Sequence, residues 1–571
     1  MRGRRKSYAY FFILPGCLIL LMFTILAAAL AFGFSFMDFN LLRPKDAAFV
    51  GFENYIRLFQ DASFLKAMKN TLYFAVIVVP YQVTLAFGLA LLVRENIKGI
   101  GIFRSAYFSP LVTSMSVIAI LWTFIYNPNP TQGLLNAILT KFGLPACDFL
   151  RSADTAMNSI IFMSGWHAAG HQMMILLAGL QAIPEDLYEA ASIDGAGALK
   201  KFLYITIPGI KNVLIFVVMM TTIAAMKLFT QPYIMTNGGP KESTMTLTYY
   251  LYRQGFQYRN MGYASAVSVI FFIVVVGISV VVKKLMKARE EDKQMNKNKK
   301  YFLIYVVNIL LGLLYISPLI WMVVSAFKPE NRIFADMSKG LAAFWPAGAT
   351  LDNFKEVFVR SNMPRYILNS VTYVTILVFL SMAVNSAFGY ALAKFEFKGK
   401  NVILTVVLSL LVLPLESILL SLFFIVNKLG WVDSYLALII PFIVKCFDVY
   451  LFRQFFLDVP DDLIEAAEID GAGPFKTFLQ VIIPVSKPVF ATVFILDYVA
   501  YWSDFMWPLL VITDAGKRTV QLGIQTFFTE PPVYYGPIMA ALTIASVPMI
   551  IMFLFLQKYY VQGISTSGIK G

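Results

Sequence analysis

Long apolar stretches alternate with short polar ones along all 571 residues of this chain. A run of roughly 20 apolar residues is long enough for a helix to cross the hydrocarbon core of a bilayer. Six such runs lie in the first half, at about 10–36, 70–93, 103–126, 157–181, 207–228 and 262–282. Six more follow at about 301–327, 366–393, 402–424, 435–457, 483–511 and 537–559. The pattern predicts an all-α polytopic membrane protein of about twelve transmembrane helices, six per half. Pro414 and Glu416 are expected near the outer end of the ninth. The first run follows a basic start, MRGRRKS, and contains LPGC at Leu14–Cys17. It stays apolar to Phe36, too far for a signal peptide, so it reads as an uncleaved first span.

One polar segment occurs twice. PEDLYEAASIDGAGALKKFLYITIP runs from Pro184 to Pro208, and PDDLIEAAEIDGAGPFKTFLQVIIP from Pro460 to Pro484. The shift between them is a constant 276 residues, nearly half the chain, and about 16 of 25 aligned positions are identical. Flanking spans need only apolarity and have diverged. A polar loop kept in both halves implies two equivalent units and two similar partner surfaces. Sequence predicts 1–286 as the first transmembrane domain, 287–300 as a polar linker and 301–571 as the second. Met295 opens MNKNKKYF, which itself resembles a protein start, as a fusion of two subunits would leave.

The repeat has a local logic. Pro184 fits a first helical position, where its missing N–H costs nothing. Glu185, Asp186 and Glu189 place negative charge near the positive end of the helix dipole. Leu187, Ala190 and Ala191 share one face, and the alanines keep it shallow enough for another protein to approach. Gly195 is expected to end the helix in a left-handed conformation. Pro460, Leu463, Glu465, Ala466, Ala467, Asp470 and Gly471 supply the same parts in the second copy.

Composition agrees with a membrane protein: 58% of residues are hydrophobic and 14% charged, against about 25% charged in soluble domains. The net charge of +14 does not imply nucleic acid, because the basic residues gather in loops on one side. Arg2, Arg4, Arg5 and Lys6 precede the first span. Arg94, Lys98 and Arg104 follow the second. Lys200 and Lys201 lie in the first repeat, Lys283 to Lys300 in the linker region, and Lys394, Lys398 and Lys400 after the eighth span. The positive-inside rule makes that side the cytoplasm and places both repeats and both termini there. Cys17, Cys147 and Cys446 have no metal or redox spacing.

At the repeats the chain resembles a known family. EAA-x3-G-x9-I-x-L-P marks the permease subunits of ABC importers. Glu189-Ala190-Ala191 with Gly195 and Pro208 fits it, as does Glu465-Ala466-Ala467 with Gly471 and Pro484. Ile207 and Ile483 replace the leucine before the last proline, a mild departure. The IDGAG form, with Asp194 and Asp470, resembles the carbohydrate branch, the maltose-type permeases. ENYIRLF at Glu53–Phe59 and MGYASA at Met261–Ala266 are similar to one subunit of that pair. SAFKP at Ser325–Pro329, LDNFKEVF at Leu351–Phe358 and YWSDFMWPLLV at Tyr501–Val511 are similar to the other. The resemblance implies two fused six-helix permease halves in a bacterial-type plasma membrane. It implies that Glu189, Ala190, Ala191, Asp194, Gly195 and their counterparts Glu465, Ala466, Ala467, Asp470, Gly471 dock two copies of a cytoplasmic ABC ATPase. An extracellular solute-binding protein would deliver a sugar or oligosaccharide.

No phosphate loop is present: GAGALKK at Gly195 and GGPKEST at Gly238 lack G-x4-G-K-[ST], and Arg518 follows Gly516-Lys517. The chain therefore reads as a transport subunit without catalytic residues, cofactor or metal of its own. ATP and Mg are expected on the partner ATPase. Polar groups inside spans are costly unless they face the bundle interior, so they mark a candidate solute pathway. These are Trp166, His167, His171 and Gln172 in the first half, and Asn385, Tyr498, Trp502, Ser503 and Asp504 in the second. Aromatic faces suit sugar C–H surfaces, while amides and carboxylates suit hydroxyls. His167 and His171, at i and i+4, lack an acidic or Cys companion for a metal. A His-based proton relay would make the chain an ion-coupled secondary carrier, the alternative class; a docking scaffold is another. Within import, the alternative solute is glycerol phosphate or another polyol derivative. It would favour a basic pathway, and the spans hold little Lys or Arg beyond Lys227 and Lys445.

Overall fold

A computed structural model describes residues 2–95, 99–197, 200–286, 300–336, 342–529 and 533–567. Lys98 and all of the expected linker except Lys300 lie outside the described residues, and the side chains of Arg2 to Lys6, Lys283 and Lys284 are not described. The principal helices of the first half are α1 (Tyr8–Phe34), α2 (Glu53–Gln60), α3 (Ala62–Arg94), α4 (Ile100–Val112), α5 (Met115–Ile125), α6 (Ala156–Gln181), α7 (Glu185–Ile193), α8 (Lys211–Met226) and α9 (Met261–Met286). The second comprises α10 (Lys300–Ala326), α11 (Asp352–Arg360), α12 (Met363–Lys394), α13 (Lys400–Leu410), α14 (Leu419–Lys428), α15 (Cys446–Leu457), α16 (Asp461–Ile469), α17 (Lys487–Trp502), α18 (Met506–Val511), α19 (Val520–Thr529) and α20 (Tyr535–Ser567). A two-stranded antiparallel ribbon, Met37–Asp38 with Ala48–Phe49, precedes α2.

Among the described residues, seven helices are long and apolar enough to cross a membrane, or up to ten if each bent pair counts as one span. The expected twelve is not reached on length and composition. Several runs expected as single helices are broken. α4 and α5 meet at 95°, Tyr435–Phe442 and α15 at 44°, and Pro474–Val485 and α17 at 80°. The ninth run splits into α13 and α14, with Pro414 and Glu416 between them. Proline stands near each break: Pro110, Pro414, Pro441 and Pro488. It removes an N–H and frees a carbonyl. Buried side chains replace some of the lost bonds. His167 Nε2 lies 3.2 Å from the carbonyl of Thr113, and Asn385 Nδ2 donates to that of Ile443 at 3.1 Å. Irregular backbone is tolerated at membrane depth only with such satisfaction.

The halves exchange their first helices. α1 packs on α12, and α10 packs on α4. Phe12 meets Tyr390 edge-on at 5.5 Å. Gly16 is needed at that contact, because a Cβ there would stand 2.5 Å from Phe388. On the other side Tyr107 donates to Asn308, 2.9 Å to the side-chain oxygen, and meets Tyr315 at 5.4 Å. A second shared device lies at the end of the bundle away from the repeats. Asn54 Nδ2 binds the carbonyls of Ser35 and Met37 at 3.0 and 2.9 Å. Asn353 Nδ2 binds those of Ala326 and Lys328 at 2.9 and 2.7 Å. Each asparagine thus fixes a short amphipathic helix, α2 or α11, to the end of its half's first helix.

Candidate functional site

The two repeats form matching exposed hairpins. Pro184 and Pro460 are N-caps rather than first helical residues, with ψ of 133° and 135°. Their rings then direct the chain into the helix from an extended conformation. Glu185 and Asp186, and Asp461 and Asp462, fill the first turns of α7 and α16, where the dipole favours carboxylates. Gly195 and Gly471 adopt φ of +73° and +78°. The N–H of Ala196 reaches back to the carbonyl of Ala191 at 2.7 Å, and that of Ala472 to Ala467 at 2.9 Å. This is the Schellman closure, which places a left-handed residue just past the helix.

Neither α7 nor α16 buries a residue among those described. Glu189, Ala190, Asp194, Glu465, Ala466 and Asp470 are exposed; Ala191 and Ala467 are half-buried. Ile193 is 87% exposed and Ile469 86%. The same isoleucine is thus exposed at the equivalent point of both repeats.

Each hairpin is tied to the long helix before it. Arg94, last in α3, places Nη2 3.8 Å from Glu185, donates from Nη1 to the Tyr188 hydroxyl at 3.1 Å and lies over the Tyr188 ring. Lys394, last in α12, places Nζ 2.6 Å from Asp461 and 2.6 Å from the carbonyl of Val459. Sequence reasoning used Arg94 and Lys394 only as orientation signals. The acid that opens each repeat, together with a base ending the preceding span in both halves, was the signal for the pairing.

The expected pathway residues fall in separate places. Trp166 packs against Trp122 at 5.2 Å and Tyr315 at 6.0 Å. His167 supports the α4–α5 break, and Gln172 donates to Thr221 at 3.3 Å. His171 lies one turn beyond His167 on α6. Asn385 is fully buried and clamps the break before α15, also accepting from the N–H of Lys445 at 3.3 Å. Tyr498 and Trp502 stack along α17 at 6.3 Å, and Trp502 Nε1 donates to Ala545 at 3.2 Å. Asp504 lies before α18, beside the backbone of residues 505–507. The halves meet through Ser114, Ser116 and Gln521, which sequence reasoning did not single out, and through Lys227 and Glu416, which it named without pairing them. Ser114 and Ser116 both donate to Gln521 Oε1 at 2.6 Å, and Gln521 Nε2 donates to the carbonyl of Trp502. Lys227 pairs with Glu416 at 3.3 Å. Among the described residues no group of three His, Cys, Asp or Glu side chains could hold a metal.

At the end of the bundle away from the repeats, Asp61 caps α3. It accepts from the N–H of Ser63 at 2.8 Å, from Tyr263 at 2.9 Å and from the Tyr250 hydroxyl. Burial pushes its carboxyl up, but these hydrogen bonds outweigh burial and leave it below the usual range. A cavity of about 230 Å³ lies beside it, lined by Arg57, Gln60, Asp61, Gln254 and Tyr263.

Residues 65–290 and 385–566 match one family, described as the binding-protein-dependent transport system inner membrane component. The chain belongs to this family. It is a multi-pass membrane permease with two permease domains in one chain, a transport subunit rather than an enzyme. The permease is 36% identical over 296 residues to the probable ABC transporter permease protein YurN of Bacillus subtilis, covering 51% of this chain and 100% of the relative. It is 34% identical over 258 residues to the arabinooligosaccharides transport system permease protein AraQ of Halalkalibacterium halodurans, covering 45% and 91%. It is 32% identical over 295 residues to the trehalose/maltose transport system permease protein MalF of Thermococcus litoralis, covering 51% and 97%. Each relative, nearly whole, corresponds to about half of the permease.

Proposed function

We propose that the chain supplies both permease halves of an importer for a neutral sugar or oligosaccharide. Its halves, 1–286 and 301–571, are joined by the linker 287–300 on the cytoplasmic side, where both termini also lie. Two copies of an ABC ATPase bind α7 and α16, and an extracellular binding protein delivers the solute to the opposite end. ATP and Mg stay on the ATPase. Closure of the ATPases on Ile193, Glu189 and Ala190, and on Ile469, Glu465 and Ala466, moves the two halves relative to each other.

One observation carries this reading: two hairpins of the same shape, each exposing an isoleucine beside an alanine face, tied to α3 and α12 by ion pairs. Two docking surfaces of one kind suit two copies of one partner. The sugar follows from relatives named for arabinooligosaccharides and for trehalose and maltose, and from the aromatic, amide and carboxylate groups among the spans. Reconstitution with the ATPase and the binding protein tests it. ATP-dependent uptake of trehalose, maltose or arabinotriose is the expected result. Uptake that persists without ATP and collapses with an uncoupler would identify an ion-coupled carrier instead.

A further inference from the structure

The short helix α2 presents three sides. Asn54 and Leu58 are buried against the bundle. Glu53, Arg57 and Gln60 form an exposed polar side. There Arg57 lies 5.1 Å over the ring of Tyr263 and, with Gln60, lines the cavity beside Asp61. Phe52, just before the helix, joins Ile56 and Phe59 in an apolar edge, and each of the three is more than half exposed. Spacings of four and three put such residues on one helix face. Three large apolar side chains in a row form a contiguous patch, which a surface facing only water rarely carries.

The second half repeats the arrangement. A shift of 299 sets Asn353 on Asn54 and Val357 on Leu58, both buried in α11. It sets Leu351 on Phe52 and Phe358 on Phe59, and both are at least half exposed. Lys355 takes the place of Ile56, with its ammonium 3.1 Å from Asp352. A lysine stem covers apolar surface while its head stays wet. Val359, also exposed, widens the edge.

The place of these edges in the bundle says what covers them. Phe11 and Phe32 are exposed near the two ends of α1. The helix between them is about 32 Å long at 1.5 Å per residue, close to the ~30 Å of a hydrocarbon core. From Phe32 a chain of rings runs to α2: Phe32 meets Phe36 at 5.0 Å, and Phe36 meets Phe52 at 5.4 Å. The exposed apolar side of the first span thus continues into the edge of α2. Phe327, just past α10, meets Phe354 of α11 at 4.9 Å. An apolar edge, a polar side beside it and aromatic rings where the hydrocarbon ends suit a helix lying in the membrane interface. Helices of eight and nine residues are too short to be stable alone, and the bonds of Asn54 and Asn353 to the preceding backbone hold them in place.

We propose that α2 and α11 are interfacial anchors whose apolar edges rest in the phospholipid leaflet opposite the repeats. Through Asn54 and Asn353 they fix the depth at which the exchanged helices α1 and α10 leave the membrane. Spin labels on the full chain test this, in a C17A/C147A/C446A background reconstituted into vesicles of phosphatidylethanolamine and phosphatidylglycerol. At F52C, I56C, F59C and F358C, oxygen, which concentrates in lipid, is expected to collide with the label severalfold more often than a water-soluble nickel chelate. At E53C, Q60C and D352C the order is expected to reverse. Photolabelling of the unsubstituted chain by a phospholipid with a diazirine near its headgroup is the second measurement, with label expected within 49–60 and 351–360. Nickel-dominated collisions at 52, 56 and 59, or no photolabel in either segment, would overturn the anchors. Adding the solute-binding protein is expected to leave the collision pattern unchanged. Labels open to nickel until that protein is added, and immobile afterwards, would overturn the lipid assignment in favour of protein docking.

Discussion

Lys394 and Asp461 stand 2.6 Å apart, joining the last residue of a 32-residue helix to the first residue of an exposed nine-residue one. Arg94 and Glu185 repeat the arrangement in the other half at 3.8 Å. A helix with no buried residue has little of its own to hold it against the bundle, so these pairs set the angle at which each hairpin projects. Asp461 is largely exposed, and exposed pairs contribute about 0.2–1 kcal/mol. K394A and R94A should therefore leave the Tm of the purified permease within about 2 °C of wild type and still lower coupled ATP hydrolysis severalfold. K394R, which keeps a charged donor for both Asp461 and the Val459 carbonyl, should retain most of the coupling. Equal loss in K394R and K394A would show that the charge has no positioning role.

Gly195 and Gly471 offer a clean backbone test, because a Cβ at either would meet nothing within 4 Å. Within the chain, a substitution acts through the positive φ, which costs an ordinary residue about 1–2 kcal/mol. Gly195→Val and Gly471→Val should insert normally and reduce ATP-driven uptake. Gly195→Asn and Gly471→Asn should be milder, since Asn tolerates the left-handed region. Uptake assays on membranes with matched protein levels decide it.

Asp61 links stability to pH. Its folded carboxyl is held below the ordinary value of about 3.9, so its contribution is fully present above that value and disappears as pH falls through the folded one. Thermal unfolding in detergent should show a loss of stability below about pH 4 that is smaller in D61N. D61N should itself unfold earlier at pH 7, because Asn keeps the N-cap acceptor but loses the charge-assisted hydrogen bonds from Tyr250 and Tyr263. Parallel pH profiles for the two proteins would contradict this assignment.

The exchanged first helices predict that covalent continuity is dispensable for assembly. A protease site placed within residues 287–299 and then cut should leave 1–286 and 301–571 co-purifying through an affinity tag on either half. Y107A, which removes two hydrogen bonds to Asn308 and the ring contact with Tyr315, should weaken that association. Separation of the wild-type halves on cutting would show that the linker, not the exchange, holds them.

Much of this was legible in the sequence, for identifiable reasons. The repeats stood out because a polar island kept its residues while its apolar surroundings drifted, and Gly195 carried a recognisable helix stop. The halves were legible from the constant shift. The breaks at Thr113 and Ile443 were not, because apolarity counts residues without regard to whether their backbone bonds close. The proline near each break was the available sign. Asn385 read as a pathway group from its polarity, whereas the structure places it in a backbone clamp. Ser114, Ser116 and Gln521 escaped notice because each is a single polar residue beside apolar ones, and their contact joins positions about four hundred residues apart.

The central claim is that both hairpins are held by the same ATPase. A photoreactive residue at position 193 or 469, in the permease purified with its ATPase, addresses it directly. Crosslinks to the ATPase from both positions, at similar yield and lost together when ATP-binding subunits are stripped, are the expected result. A crosslink from one position alone, or from neither, would contradict the account.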